Sequence, residues 1–549
     1  MDKKSIIDSI ESFSLKLTAR YQSTRIEKYL DVISVALICA IGSIIRIRGL
    51  MSLNFSTTIP YNGGGLYYLF IQTIIANQFD YPSFIPHFTV DGLPFVYPPL
   101  CFYFLAAISV FFGIDPLILI NFSPTIISII NIFVFFLLSK ELFKDDKKLT
   151  YFASLLFSIS PIVIYPKSFT SGSELIHVAG LTLLLLGILF HIRARKSQKL
   201  IDYLVFGVIL GLTIITSPAA SLLLIVFCII DYALHYHKIK FKYKIIGLSL
   251  LIAFSISLFW ILNVYVNHGF EPILLGYLHK QGTSVSWFLI KNVAKFFILN
   301  NFSPFFHPWF LVILIGTGYC LLQKQLLYPF WFLGWLFAPE SYYYLFIPAI
   351  FLITICLFKF IIPNLIYDAK IGLDKTHANI VVSFILLSML ILHPIAQETI
   401  DSYNSGGNSN ESLSRIQKEQ LDFVAMKWVA ENTPDDSVFI AKDIIYTTKE
   451  EGWMYGDWFP AISKRTTLNV HFGSEWTGEF PQLWEIDEEI CQIKTQRDLF
   501  SISEENDLDF THLYLHKTQI NHDILKNLLT SDRFVLIYEN QYVSIFEKT

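Results

Sequence analysis

Pro98-Pro-Leu-Cys-Phe-Tyr-Phe-Leu-Ala-Ala-Ile-Ser-Val-Phe-Phe-Gly113 decides how this chain is threaded. The run is apolar enough for a membrane helix but short of the ~20 residues that a span needs. Whether it crosses or lies flat inverts the side of every later loop. Charge settles the choice, because basic residues stay on the cytoplasmic side. Lys3, Lys4, Lys16, Arg20, Arg25 and Lys28 precede the first apolar run, and Gly49 to Ser139 holds no Lys or Arg. If 98–113 crossed, Lys140, Lys144, Lys147 and Lys148 would face outward. If it lies on the outer surface they face inward, and the basic loops Arg193–Lys199, Lys238–Lys244 and Lys359–Lys375 follow them. Runs 65–78 and 98–113 are therefore read as two helices in the outer interface.

Composition agrees with a membrane body. Of 549 residues 53% are hydrophobic, 16% aromatic and 16% charged, and mean hydropathy is +0.50. A soluble domain carries nearer a quarter charged residues, and a chain with 50 Phe is no disordered polymer. Residues 401–549 hold 26 acids and 13 bases, leaving 19 acids and 28 bases before them. A basic apolar body thus joins an acidic polar tail. The acidic tail carries no nucleic-acid footprint.

Eleven spans are expected, at 30–49, 117–138, 149–166, 174–192, 200–216, 218–235, 245–266, 307–322, 326–338, 342–361 and 379–397. The chain divides into a cytoplasmic amphipathic segment 1–29, a membrane domain 30–397 with an outer loop 50–116, and an extracytoplasmic α/β domain 398–549. In the first segment Ile6, Ile7, Ile10, Phe13 and Leu17 recur at helical spacing among lysines, which fits either a helix on the anionic inner leaflet or a basic tail. The start lacks a cleavable signal pattern.

The tail opens on the turn-rich linker Ser402–Asn410. A helix is expected through Glu431, then strands at Ser437–Ala441 and Phe510–Leu515, a helix at Ile524–Leu529, and a hairpin from Phe534–Tyr538 to Tyr542–Phe546. Cys39, Cys101, Cys228, Cys320 and Cys356 sit in apolar runs and Cys491 in the tail, without metal-ligand spacing.

The long outer loop has the character of a working element. Between Tyr61 and Pro99 its acids are Asp80 and Asp91, with His87 between them. Carboxylates in a low-dielectric setting suit proton abstraction; both also fit turns, before Tyr-Pro and Gly. Arg46 and Arg48 end the first span, where a guanidinium can hold a lipid phosphate or snorkel to head groups. Lys167 and Glu174 flank the loop Lys167-Ser-Phe-Thr-Ser-Gly-Ser-Glu174, and Glu174 also suits a helix N-terminus. Glu340 lies in another short outer loop, as a cap or a ligand contact. In the tail, Trp453–Pro460, Lys464, Arg465 and Gly473–Trp476 place aromatics beside Asp457 and Glu475. Such a group can stack sugars, dock on a membrane, or form an ordinary core.

The order of these loops resembles the C-type membrane glycosyltransferases, among them protein O-mannosyltransferases and aminoarabinose transferases (glycosyltransferase family 39-like). The resemblance rests on Gly92–Phe104 with Tyr97-Pro-Pro-Leu100, on Phe112-Gly113 and Ser139–Phe143, on Gly334-Trp335 with Tyr344–Pro348, and on Asp457–Pro460 with Arg465 and Gly473–Trp476. It implies a polyprenyl-phosphate sugar donor, a lipid, glycan or protein acceptor, and transfer on the outer face. The family's acid after the first span is absent here, where the stretch reads Tyr61-Asn62-Gly63. Asp91 or Asp80 then takes the role of base, Arg46, Arg48 and Lys167 that of phosphate ligands, and His87, Tyr97, Glu174, Glu340, Asp457 and Glu475 line the substrate. No cofactor is called for. A divalent metal enters with one alternative, an oligosaccharyltransferase-like enzyme; the other is a transporter or structural membrane protein.

Overall fold

A computed structural model describes residues 24–48, 64–144, 146–159, 174–236, 243–281, 308–338, 341–363, 415–442, 456–471, 473–518 and 521–549. Helices Pro116–Phe143, Leu175–Ser197, Pro218–His235 and Ile245–His268 have the length and apolarity to cross a membrane. At ~1.5 Å rise per residue the 28 residues of the first of these exceed the ~30 Å of a hydrocarbon core. Thr24–Arg48, of 25 residues, contains residues 30–48 of the first expected span. Helices Lys147–Ile159, Leu200–Ile214, Pro308–Leu322, Leu327–Leu336 and Phe346–Ile355 coincide with other expected runs. Segment 379–397 lies outside the described residues.

Local signals fix several helix ends. Asp115 caps Pro116–Phe143 by accepting from the Leu117 amide at 2.8 Å, and Pro116 takes the first turn where no amide donor is needed. Ser217 and Pro218 repeat the device at the start of Pro218–His235. Helix Leu200–Ile214 packs on Tyr243–His268 through Gly207 and Gly211, where an added Cβ would lie 2.6 Å from the Ser249 carbonyl oxygen and 3.0 Å from that of Ala253. Such close approach is how membrane helices gain packing energy without a hydrophobic drive.

Helices Gly65–Ala76 and Leu100–Phe112 are too short to span, at about 18 and 20 Å. The second closes on Gly113, at φ 65°, the left-handed cap that glycine adopts without strain. Its Phe102, Leu105 and Ala106 are buried, while Phe104, Val110, Phe111 and Phe112 are exposed. The helix thus has one buried face and one exposed apolar face. The buried face joins a core shared with the C-terminal domain, in which Leu66, Phe70, Phe102 and Leu175 pack with Phe423, Met426, Trp458, Phe459 and Tyr514. The loop and the domain thus share one core. At another site, buried Asp231 ties helices together by pairing with Arg195 at 2.7 Å and with His191 and His235 at 3.1 Å each.

The C-terminal domain is a five-stranded sheet in the order β4-β3-β5-β7-β6. Here β3 is Val438–Lys442, β4 Thr466–Thr467, β5 His512–His516, β6 Phe534–Glu539 and β7 Val543–Lys548. β3 runs parallel to β4 and β5; β7 is antiparallel to β5 and β6. The expected helix, strands and hairpin are all present, with helices Arg415–Asn432 and His522–Leu529. Two further helices, Phe480–Gln492 and Gln496–Glu505, complete a second core around Ile486, Ile490, Leu499 and Phe546.

Candidate functional site

The carboxylates that converge are not the pair singled out in the loop. Tyr67, in the first turn of the Gly65–Ala76 helix, feels the charges of Glu174, Glu475 and Asp457. Tyr97 feels Glu475 and Asp457 and has the Trp476 indole as hydrogen-bond partner. Burial first, then these negative charges, hold both phenols well above their usual value, so each is a hydrogen-bond donor at neutral pH. The two rings lie 6.1 Å apart; Tyr67 leans on Phe102 at 5.0 Å and Tyr97 on Trp476 at 5.1 Å. Trp476 in turn covers Gly276, where a Cβ would sit 2.6 Å from the indole. Loop, membrane helices and C-terminal domain each supply part of the group.

Glu174 stands at the N-terminus of the Leu175–Ser197 helix, with its Oε2 4.0 Å from His177 Nε2. The His177 ring stacks on Tyr343 at 4.1 Å, and its carbonyl accepts from the Tyr344 hydroxyl at 3.2 Å. His177 and Tyr343 escaped the sequence reading; the i,i+3 spacing of Glu174 and His177 was the available signal.

Asp457 is buried and its Oδ2 accepts from the amides of Gly64 at 3.0 Å and Leu66 at 3.1 Å. Burial pushes its carboxyl up to about 6, against the opposing hydrogen bonds of Leu66, Gly64 and Gly65. Of the expected substrate residues, Asp457 thus has its Oδ2 committed to a helix end.

Asp80 and Asp91 are exposed. Asp80 ends the turn after the Gly65–Ala76 helix and its charge bears on Tyr103. The His87 carbonyl accepts from the Thr467 amide at 3.1 Å, docking the loop on the C-terminal domain. Burial, then Arg465 and Lys464, lower the His87 pKa.

Arg46 is 2% exposed. Its Nε donates to Ser128 Oγ at 2.8 Å, and Nη1 donates to the carbonyls of Ser158 at 2.8 Å and Gly42 at 3.0 Å. Among the described residues buried Nη2 has no hydrogen-bond partner, and no carboxylate pairs with the guanidinium. Ser128 belongs to a buried polar stripe, Asn121, Thr125, Ser128 and Asn131, along one face of Pro116–Phe143. The Arg48 side chain, Lys167 and Glu340 lie outside what the structure describes. No group of His, Cys, Asp or Glu among the described residues is arranged to hold a metal ion.

The helical bundle, with two short helices packed against a C-terminal α/β domain, has the fold of the C-type membrane glycosyltransferases. The comparisons that establish it are these. Residues 96–261 match the family described as dolichyl-phosphate-mannose-protein mannosyltransferase. An Archaeoglobus fulgidus oligosaccharyltransferase tethered to an acceptor peptide superposes with TM-score 0.58 at 13% identity, over 91% of this chain and 70% of that one. ArnT from Cupriavidus metallidurans, bound to undecaprenyl phosphate, gives 0.52 at 13% identity over 93% and 97%. Mycobacterial arabinofuranosyltransferase AftD gives 0.51 at 11% over 94% and 40%. No curated protein sequence matches the chain.

Proposed function

We propose that this chain is an integral membrane glycosyltransferase that moves a sugar from a polyprenyl-phosphate donor to a hydroxyl-bearing acceptor, on the extracytoplasmic face. The observation that carries the donor is Arg46. A buried cation without a counter-charge is costly, by several kcal/mol, and one free N–H edge of a guanidinium suits a phosphate oxygen. The family match of residues 96–261 supports the same donor class.

On the acceptor side Glu174 takes the base role in place of Asp80 and Asp91. It bears first among the acids on Tyr67, whereas the two loop aspartates face solvent. In this mechanism Glu174 accepts the acceptor's hydroxyl proton. The acceptor oxygen bonds to the anomeric carbon, the bond from that carbon to the phosphate oxygen breaks, and the electron pair leaves on the lipid phosphate beside Arg46, inverting the centre. Tyr67 and Tyr97 donate hydrogen bonds to sugar or acceptor oxygens, and Trp476 offers a ring face. Glu475 holds the acceptor.

The test is transfer of label from a panel of radiolabelled polyprenyl-phosphate hexoses and pentoses into membranes containing the full-length protein. Glu174→Gln loses about 10²–10⁴-fold, the range for removing a general base. The double change Asp80→Asn with Asp91→Asn stays within about twofold. Equal loss in both variants would return the base to the loop.

A further inference from the structure

We infer that Asp457 is a positioning residue: carried by the C-terminal domain, it caps the Gly65–Ala76 helix and so sets Tyr67 and Tyr97 against Glu174 and Glu475. The inference rests on the transfer reading above, but its structural half stands on its own. A helix leaves its first amides without intrahelical partners. The usual remedy is a Ser, Thr, Asp or Asn at the cap itself. Here the cap is Gly64, at φ 115°, and it has no side chain to offer. The acceptor comes instead from Asp457, 393 residues further on, whose Oδ2 takes the Gly64 amide. The approach demands a glycine at 65 also, because a Cβ there would lie 2.3 Å from the Asp457 carbonyl oxygen.

What the cap orients is chemical. Tyr67 is one residue beyond the Leu66 amide that Asp457 holds. Its ring meets Tyr97, and Tyr97 meets Trp476 of the same C-terminal domain. The domain therefore grips the tyrosine pair twice, through Asp457 at the helix end and through Trp476 at the loop. Oδ2 does the capping, and among the described residues buried Oδ1 has no hydrogen-bond partner. An acceptor oxygen is required at this position, a negative charge is not.

That distinction makes the test. In full-length protein, Asp457→Ala should speed amide hydrogen exchange in residues 66–69 by about tenfold, since a lost cap frays the first turn. Asp457→Asn keeps an acceptor oxygen and should hold exchange within about threefold of wild type. Gly65→Ala, which pushes the Asp457 backbone away, should reproduce the Ala result if Asp457→Ala cannot be purified. In the transfer assay, kcat should fall about tenfold in Asp457→Ala with donor KM unchanged, and Asn should restore most of it. Three results overturn the inference: unchanged exchange in Asp457→Ala, an Asn variant as frayed as Ala, or fraying without loss of kcat. A wild type with no transfer at all would defeat the proposed function and leave the exchange result to judge the cap separately.

Discussion

Among the described residues two arginines are almost wholly buried, and they are buried in opposite ways. Arg465 in the C-terminal domain, 4% exposed, spends every nitrogen. Nε donates to Thr433 Oγ1 at 3.1 Å, Nη1 to the Lys464 carbonyl at 3.0 Å, and Nη2 to the carbonyls of Ala430 and Thr433 at 3.0 and 2.6 Å. Asp435 lies 3.1 Å away. Arg46 in the membrane domain is as deep, yet Nη2 is unmatched and no carboxylate pairs with it among the described residues. A saturated arginine holds a fold together; an unsaturated one waits for an anion. Burial alone does not separate structure from function, and the count of satisfied donors does.

The comparison can be broken at either end. The largest expected effect is at Arg46: Arg46→Met should cut transfer at least about a hundredfold, the order reported by removing a charge-stabilising donor, while Arg46→Lys keeps part of it. At Arg465 the sign of the effect moves from activity to stability. Arg465→Met strands the carbonyls of Lys464, Ala430 and Thr433, so denaturation should show a loss of about 2–4 kcal/mol. Transfer per folded molecule should stay near wild type. If Arg465→Met abolished transfer without destabilising the domain, the separation drawn here would be wrong.

A smaller effect follows from Asp457, whose folded carboxyl lies at about 6, above the 3.8 of a free aspartate, because it is buried. The folded chain binds this proton more tightly than the unfolded one. Its contribution to stability is thus full below the unfolded value and is lost as pH rises through about 6. Thermal unfolding should show the wild type losing stability from pH 4 to 7, with a flatter profile in Asp457→Asn. An identical slope in the two proteins would reject that account.

Much of the fold was legible because membrane and sheet elements announce themselves locally. Charge asymmetry argued that 98–113 does not span, and the helix found there is 13 residues long. The alternation of Phe534–Tyr538 and Tyr542–Phe546 gave the hairpin that β6 and β7 form. The amphipathic helices Phe480–Gln492 and Gln496–Glu505 were missed, since their apolar stripes are sparse among acids.

The candidate site was half legible. Arg46, Tyr97, Glu174, Asp457 and Glu475 were picked out by chemistry, and the structure brings the last four around Tyr67 or Tyr97. Their partnership was not readable, because it joins residues hundreds of positions apart. Asp80 and Asp91 drew attention as acids in a stretch with few charges, but rarity along the chain says nothing about burial. Asp115 went unremarked and proved to be a helix cap. Asp457 shows the same limit from the other direction: its cap lies across domains, at Gly64.

The most direct test is a titration of purified full-length protein with polyprenyl phosphate and, in parallel, with the matching polyprenol. The wild type should prefer the phosphate strongly, Arg46→Lys should keep a reduced preference, and Arg46→Met, checked for an unchanged melting profile, should bind the two lipids alike. An Arg46→Met protein that melts like wild type and still prefers the phosphate to the same degree would contradict the claim that this buried arginine seats the donor.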